Sequence, residues 1–482
     1  LSKSFAIGST DQGIARFLSF SGISFSFAAL FCLVVLPSFA VHDVQRIGQI
    51  VIALVLLLFG LLSAQKAGFG IDRTVRTLLV FVLFLAVFSS FFSRHFSWAT
   101  AEVSLLVIGC WLTRFFSNAR IQSGERADYL FGIFVIAVCA VKSIQFIASA
   151  FAAFMSDAHY LDLDLLVVGF SNKRFYGQFQ TFTLPLLALP LLLPAIKPAI
   201  KVWLFALLSC WWMIAICGGT RGTWLGMACA MGVVFISCGR WGRRWAVLQA
   251  ATAALGLLLF WLFFNRLPAL LGIEVLNFAG DRLNASLSAR DILWHQAWDM
   301  IKERPLLGFG PMHFADIHNV VAAHPHQAIL QWACEWGVPS TLLVMGLAAY
   351  GLLATVKLIR RKAASSEPVD LLRICLLASL TGALAQSMVD GVIVMPYSQL
   401  WLALVVGWLM GIHEWSARPA PGGAVMRWGW MAVVMLAVGF LSYVVIRDFP
   451  HRGEREDQYA HDFGGNLQPR FWQQGVIATT PQ

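Results

Sequence analysis

Trp245-Ala-Val-Leu-Gln-Ala-Ala-Thr-Ala-Ala-Leu-Gly-Leu-Leu-Leu-Phe-Trp-Leu-Phe-Phe264 holds no charged residue, and Arg240, Arg243 and Arg244 stand just before it. A helix of that length covers the hydrocarbon core of a bilayer, about 30 Å at about 1.5 Å per residue. The stretch therefore reads as a transmembrane helix whose basic end stays in the cytoplasm. It delivers the chain at Arg266 into the longest break between apolar runs, residues 266–336.

The rest of the chain repeats this pattern. Comparable runs occupy 17–38, 47–63, 77–92, 98–116, 129–154, 175–196, 200–217 and 221–238, and after the break 337–357, 371–390, 398–413 and 427–446. The third run is short, and Pro185, Pro190 and Pro194 interrupt the sixth. Hydrophobic residues make up 59% of the 482 and charged ones only 12%, whereas soluble domains are roughly half apolar and a quarter charged. The sequence predicts an all-α integral membrane protein of 12–13 transmembrane helices with one large, partly helical loop on the outer side. It divides into an N-terminal bundle over 1–265 (about nine spans), the loop 266–336 with a helix at about 289–304, C-terminal spans over 337–446, and a polar tail over 447–482. The first sixteen residues, with Lys3 and Arg16, read as a lead into the first span and not as a cleaved signal.

Charge sets the orientation. With the N-terminus inside, the cytoplasmic ends hold Lys3, Arg16, Lys66, Arg73, Arg76, Arg114, Arg120, Arg126, Lys197, Lys201, Arg240, Arg243, Arg244, Lys357, Arg360, Arg361, Lys362, Arg373, Arg418 and Arg427. The opposite short loops hold Arg46, Arg94, Lys173, Arg174 and Arg221. The asymmetry places 266–336 outside. Thirteen spans put the tail on that side too, and twelve put it inside. The net charge of +10 is thus a topology signal and gives no reason to expect a nucleic acid partner. The nine cysteines lie almost wholly in apolar runs, without CxxC or metal-ligand spacing, and read as small buried hydrophobes.

Chemistry concentrates around the loop. In His324-Pro-His-Gln-Ala-Ile-Leu-Gln-Trp-Ala-Cys-Glu-Trp-Gly337, two imidazoles precede a helix on which Gln327, Gln331 and Glu335 share one face. Trp332 and Trp336 form a second stripe, as at a membrane interface. Polar groups carried this close to lipid usually face a cavity. His326 is a candidate general base, because an imidazole is mostly neutral at pH 7; alternatively, it is an interfacial histidine without a role. Arg221, between the glycines of Cys217-Gly-Gly-Thr-Arg-Gly-Thr-Trp224, reads either as a bidentate phosphate grip or as a snorkelling turn residue. Arg290 opens the loop helix, where Ser288 and Asp291 suggest a capping box and a helix N-terminus attracts anions. Lys173 and Arg174 end another outer loop and either join a phosphate clamp or remain solvated. His313, Asp316, His318, His324 and His326 cluster in sequence but match no zinc spacing, so no metal site is assigned. Asp162 and Asp164 are taken as incidental. Lys142 and Asp390, charged and near or within spans, partner each other or a lipid phosphate.

Three stretches together resemble the O-antigen ligase and polymerase superfamily, which includes bacterial O-linked oligosaccharyltransferases. They are Gly218-Gly-Thr-Arg-Gly-Thr-Trp224, Ser288-Ala-Arg-Asp-Ile-Leu-Trp-His with Pro305-Leu-Leu-Gly-Phe-Gly-Pro311, and the His324–Gly337 stretch. Their order, their spacing and the multispan layout carry the resemblance. One departure is Gln327, where the family usually has asparagine; both side chains carry a donor and an acceptor.

The resemblance implies a GT-C-like glycosyltransferase architecture and an inverting transfer at the periplasmic face of the bacterial inner membrane. The donor would be a glycan on undecaprenyl diphosphate, with Arg221 and Arg290 binding the diphosphate and His326 deprotonating the acceptor hydroxyl. Arg174, Lys173, His324, Gln327, Gln331, Trp294 and Trp298 are the expected substrate-binding residues, and no cofactor or metal is implied. Lipid A–core as acceptor gives a ligase, the reading favoured here. A second lipid-linked glycan gives a polymerase, and a serine or threonine gives a protein glycosylating enzyme. A flippase for the same lipid-linked glycan is the competing class.

Overall fold

A computed structural model of the chain describes residues 2–63, 73–156, 160–276, 289–414 and 423–477. Five long helices come first: α1 (Ser2–Val35), α2 (Val41–Ser63), α3 (Arg73–Phe91), α4 (Phe96–Ser123) and α5 (Glu125–Phe154). The broken run follows as α6 (Lys173–Leu187) and α7 (Leu189–Leu192), then α8 (Pro198–Cys217), α9 (Arg221–Ser237) and α10 (Gly239–Trp261). The outer segment contributes α11 (Leu267–Leu271), α12 (Arg290–Glu303) and α13 (Ala328–Trp336). The chain closes with α14 (Val338–Arg361), α15 (Pro368–Gln386), α16 (Pro396–Ile412), α17 (Ala424–Asp448) and α18 (Arg452–Phe463).

The protein is an all-α membrane protein. Among the described residues, ten helices are long and apolar enough to cross a bilayer, and Arg221–Ser237 and Pro396–Ile412 are apolar but shorter. With the proline-broken α6, each of the thirteen apolar runs is helical. Helices dominate because lipid offers no partner to backbone amides, which must be satisfied within the segment. Prolines punctuate the result. Pro198, Pro339, Pro368 and Pro396 each stand in the first turn of a helix, where the missing N–H costs nothing. Pro185 lies inside α6, which ends two residues later.

The core centres on α15, 67% buried over its span, whereas α14 is only 17% buried and presents its apolar side chains outward, as toward lipid. Small residues let α9 and α15 cross closely: a Cβ on Gly226 would stand 2.6 Å from the carbonyl oxygen of Gly382. Such backbone approach drives helix association where no hydrophobic force acts between helices. Lys142 is buried in α5. Its Nζ donates to Val34 O at 3.0 Å and Val168 O at 2.5 Å, and the neighbouring Gln145 donates to Val35 O at 2.9 Å. It caps the orphan carbonyls that end α1 and is not a partner of Asp390.

Outside the bundle the segments lock together. A parallel pair, β1 (Tyr160–Asp162) and β2 (Glu274–Leu276), ties the loop before α6 to the loop after α11. α12 begins at Arg290, close to the expected boundary, and Ser288 of the expected capping box lies outside the described residues, as do Lys66 and Arg418 among the orientation charges. Residues 466–477, after α18, fold back over this same end. Gln468 donates to Asn319 O at 2.7 Å, and Ile477 N–H donates to Ala315 O at 3.2 Å. The tail therefore sits on the side of the large loop, as thirteen crossings require.

Candidate active site

Three arginines that lie far apart in sequence each stand at a helix start. Arg174 is the second residue of α6, Arg221 the first of α9 and Arg290 the first of α12. Asn172 caps α6, its Oδ1 accepting from the backbone of Arg174 at 2.9 Å and of Phe175 at 3.2 Å. Thr220 precedes α9 and does not cap it; its hydroxyl donates instead to Lys173 O at 3.3 Å, joining the two helix starts. α12 likewise has no side-chain cap, and Ala289 before it adopts a left-handed φ of 58°. Uncapped first-turn amides attract anions, and the helix dipole adds to that attraction. The arginines lie within electrostatic reach of one another. Burial pulls the Arg290 guanidinium below its ordinary pKa, Arg174 and Arg221 add to that, and Asp390 opposes it.

His326 lies just before α13, with φ 54°. A β-carbon in this region is strained, and the surroundings hold it there. Trp294 of α12 donates through Nε1 to Pro325 O at 3.1 Å, His326 N–H donates to His324 Nδ1 at 3.3 Å, and Ala328 N–H donates to Ser387 O at 2.9 Å. The imidazole is 7% exposed, and its Nδ1 stands 3.7 Å from Asp390 Oδ1. That is an ion-pair distance, too long for a hydrogen bond. Asp390 is itself fixed. Its Oδ1 accepts from Gly391 N–H at 2.8 Å and its Oδ2 from Gln386 Nε2 at 3.2 Å, while Gln386 Oε1 accepts from Thr181 of α6 at 2.6 Å. A carboxylate facing Nδ1 favours the Nδ1–H tautomer and leaves the Nε2 lone pair to take a proton. Burial holds His326 below its ordinary pKa, Asp390 pulls it up, and Arg174 and Arg290 pull it down. The balance leaves the ring neutral at pH 7.

The other candidate residues have varied settings. His324 is buried behind His326, the two rings 4.1 Å apart between centroids, and burial holds its pKa well down. Gln327 caps α13, its Oε1 accepting from Leu330 N–H at 2.5 Å. Lys173 is buried against Asp164, whose own N–H donates to Asp162 Oδ1 at 2.9 Å. Trp294 is occupied with Pro325, while Trp298 is 53% exposed. Gln331 and Glu335 face inward onto Arg470: Glu335 accepts from its Nη2 at 2.7 Å, and the Gln331 amide, whose oxygen must be assigned toward the guanidinium to satisfy both groups, then accepts from Nη1 at 2.6 Å. Trp332 and Trp336 stack on each other at 4.8 Å, and Trp336 is buried. His313 accepts from His95 N–H at 2.9 Å and bonds Pro311 O at 2.9 Å, and Asp316 pairs with His95 at 3.0 Å. No group of three metal-ligating side chains converges among the described residues.

The glycine-rich turn Pro305–Pro311 braces α13 from its far end. Phe309 N–H donates to Cys334 O at 2.9 Å and Gly310 N–H to Glu335 O at 3.0 Å, and a Cβ on Gly337 (φ 82°) would collide with Leu306 O. Sequence reading did not find the placement of Asp390 beside His326 or of Arg470 against Glu335. Only Asp390 gave a signal, as a charge at a span end. Residues 204–345 match a family model described as O-antigen ligase. No curated protein matches the chain. The matched stretch contains Arg221, Arg290 and His326, while Arg174, Asp390 and Arg470 lie beyond it.

Proposed function

We propose that the chain, whose residues 204–345 match the O-antigen ligase family model, transfers a glycan from undecaprenyl diphosphate to a hydroxyl of lipid A–core at the periplasmic face of the inner membrane. Arg221 and Arg290, with Arg174 beside them, hold the donor's diphosphate against the open starts of α9 and α12. Guanidinium forks suit this task because they bind phosphate oxygens bidentately and keep their charge. His326 Nε2 takes the proton of the acceptor hydroxyl as its oxygen attacks the anomeric carbon. The bond from that carbon to the diphosphate oxygen breaks on the opposite face, which inverts the anomer. Undecaprenyl diphosphate departs with the electron pair, and the arginines neutralise the charge that grows on it. Asp390 stabilises the imidazolium formed in the step. With arginines in place of a divalent ion, transfer is expected to continue in chelator.

The observation that carries this reading is His326 itself: buried, held at positive φ, aimed at Asp390 and flanked by arginines that start separate helices. A flippase for the same lipid needs cationic grips but no such base. His326→Ala is expected to bind lipid-linked donor normally and lose about 10²- to 10⁴-fold in transfer rate, the usual worth of general-base catalysis. Purified protein in vesicles, supplied with one donor and in parallel with lipid A–core, a second lipid-linked glycan or a serine-bearing peptide, measures both base and acceptor. Near-normal transfer by the variant sinks the base assignment, and transfer to the peptide or the second glycan alone sinks the ligase.

A further inference from the structure

Residues 466–477 are tied to the helix that follows His326 and, through Arg46, to the loop that follows Asp390. On one side, Arg470 is fully enclosed and donates from Nη2 to both oxygens of Glu335, at 2.7 and 3.0 Å, with Glu102 at 3.4 Å. Glu335 is 0% exposed, and its Oε1 also accepts from Phe314 N–H at 3.1 Å. On the other side is Arg46 of α2, buried and without a carboxylate within salt-bridge distance among the described residues. It donates to Arg470 O at 3.2 Å, Phe471 O at 3.3 Å and Val394 O at 2.9 Å, and to the amide oxygens of Gln49 and Gln399 at 2.6 and 2.7 Å. Asp43 accepts from Gln473 N–H at 2.7 Å, and Asp448 accepts from Trp472 Nε1 at 3.1 Å. The segment is thus held between α13, which begins two residues after His326, and Arg46, which also bonds Val394 in the loop after Asp390.

This arrangement is costly unless geometry repays it. Two arginines and a glutamate are taken from water, and such groups destabilise a fold unless nearly every donor and acceptor is matched. What the arrangement supplies is a fixed position for α13. Gln331 and Glu335, one turn apart on the same face, are both clamped by one guanidinium, and Gln327 sits one turn further toward His326. A nine-residue helix clamped at mid-length and near its end moves as a rigid rod, so a shift at Arg470 reaches His326. The pair His326–Asp390 at 3.7 Å leaves little tolerance, since misplacement by about 1 Å can cost about 10²-fold in rate.

We propose that the tail segment 466–477 is a wall of the catalytic centre and that Arg470 is a positioning residue, setting His326 against Asp390 through Glu335 and α13. The inference rests on the assignment of His326 as the base. Arg470→Gln, in full-length protein in vesicles, is expected to lower kcat about 10- to 100-fold and to leave the donor KM within about twofold, because the arginines that hold the diphosphate are untouched. Arg470→Lys, which keeps the charge and loses the fork, is expected to recover part of kcat. Amide hydrogen exchange over Ala328–Trp336 and Val389–Met395 is expected to quicken at least tenfold in Arg470→Gln. Exchange is read without any transfer reaction, so two failures separate. Unchanged exchange, or wild-type kcat in Arg470→Gln, overturns the positioning role whatever His326 does. Full transfer by His326→Ala overturns the base whatever the exchange shows. If Arg470→Gln does not fold, Arg470→Lys carries the same test. A rise in donor KM with kcat unchanged also overturns the proposal.

Discussion

His326 stands at φ 54° in a chain whose other described non-glycine residues at positive φ are Ala289, before α12, and Met312, before the His313–Asp316 turn. Of the three, His326 is itself assigned to chemistry and Ala289 precedes Arg290, and functional sites are where backbone strain tends to persist. Asp390 is expected to act on His326 in two ways, orienting the ring and raising its pKa against burial. The direction can be worked out. Burial and two arginines already lower the pKa of His326, so the acid limb of kcat/KM should lie below the ordinary imidazole value near 6.5, with activity lost as pH falls through it. Asp390→Asn removes the one upward pull. The limb should then move to still lower pH, while kcat on the plateau falls because the imidazolium loses its partner. A pH–rate profile in vesicles checks both, and a limb that moves upward contradicts the pairing. Arg221, Arg290 and His326 could be proposed from sequence because each sits in a local motif. The contact of His326 with Asp390 was not, since it is made only when α13 packs on the end of α15.

At the scale of elements, α13 is the part on which the candidate site turns, and its first residue is set by Gln327. The side-chain oxygen bonds Leu330 N–H, the usual N-cap interaction. Asparagine, which the resemblance to O-antigen ligases implies at this position, is among the best N-caps, so glutamine here preserves the element. Gln327→Asn is expected to keep transfer and thermal stability near wild type. Gln327→Ala should destabilise by about 1 kcal/mol, the typical loss of a cap, measurable as a lowered unfolding midpoint in detergent. A large loss of donor affinity in Gln327→Asn would instead point to direct contact with substrate. The polar stripe Gln327, Gln331 and Glu335 was readable as a face turned away from lipid. Its occupant was not, because a buried ion pair with Arg470 leaves no periodicity near either partner. The same limit applies to Trp332 and Trp336, which show the spacing of an interface belt and stack on each other instead.

Across the whole molecule, the membrane class and the run of helices were legible because lipid imposes long uncharged stretches, whatever the detail of packing. The side of the tail depended on whether the proline-broken run counts as a crossing, which composition leaves open and the contact of Gln468 with Asn319 places with the large loop. Single cysteines at Gly465 and Asp299, in a background lacking the nine native ones, should react with an impermeant maleimide from the same face of intact spheroplasts. Labelling of Gly465→Cys only after lysis would contradict this placement. The docking of residues 466–477 also bears on timing. Ribosomes make the chain in order, and Arg470 follows all ten of the long apolar helices among the described residues. With the roles proposed above, a nascent chain that has already inserted Arg221, Arg290 and His326 would hold the lipid donor before it had received the clamp on α13. On the proposed roles, synthesis would carry its own safety catch, the site coming into service only when α17 has been threaded and the segment behind it has been seated.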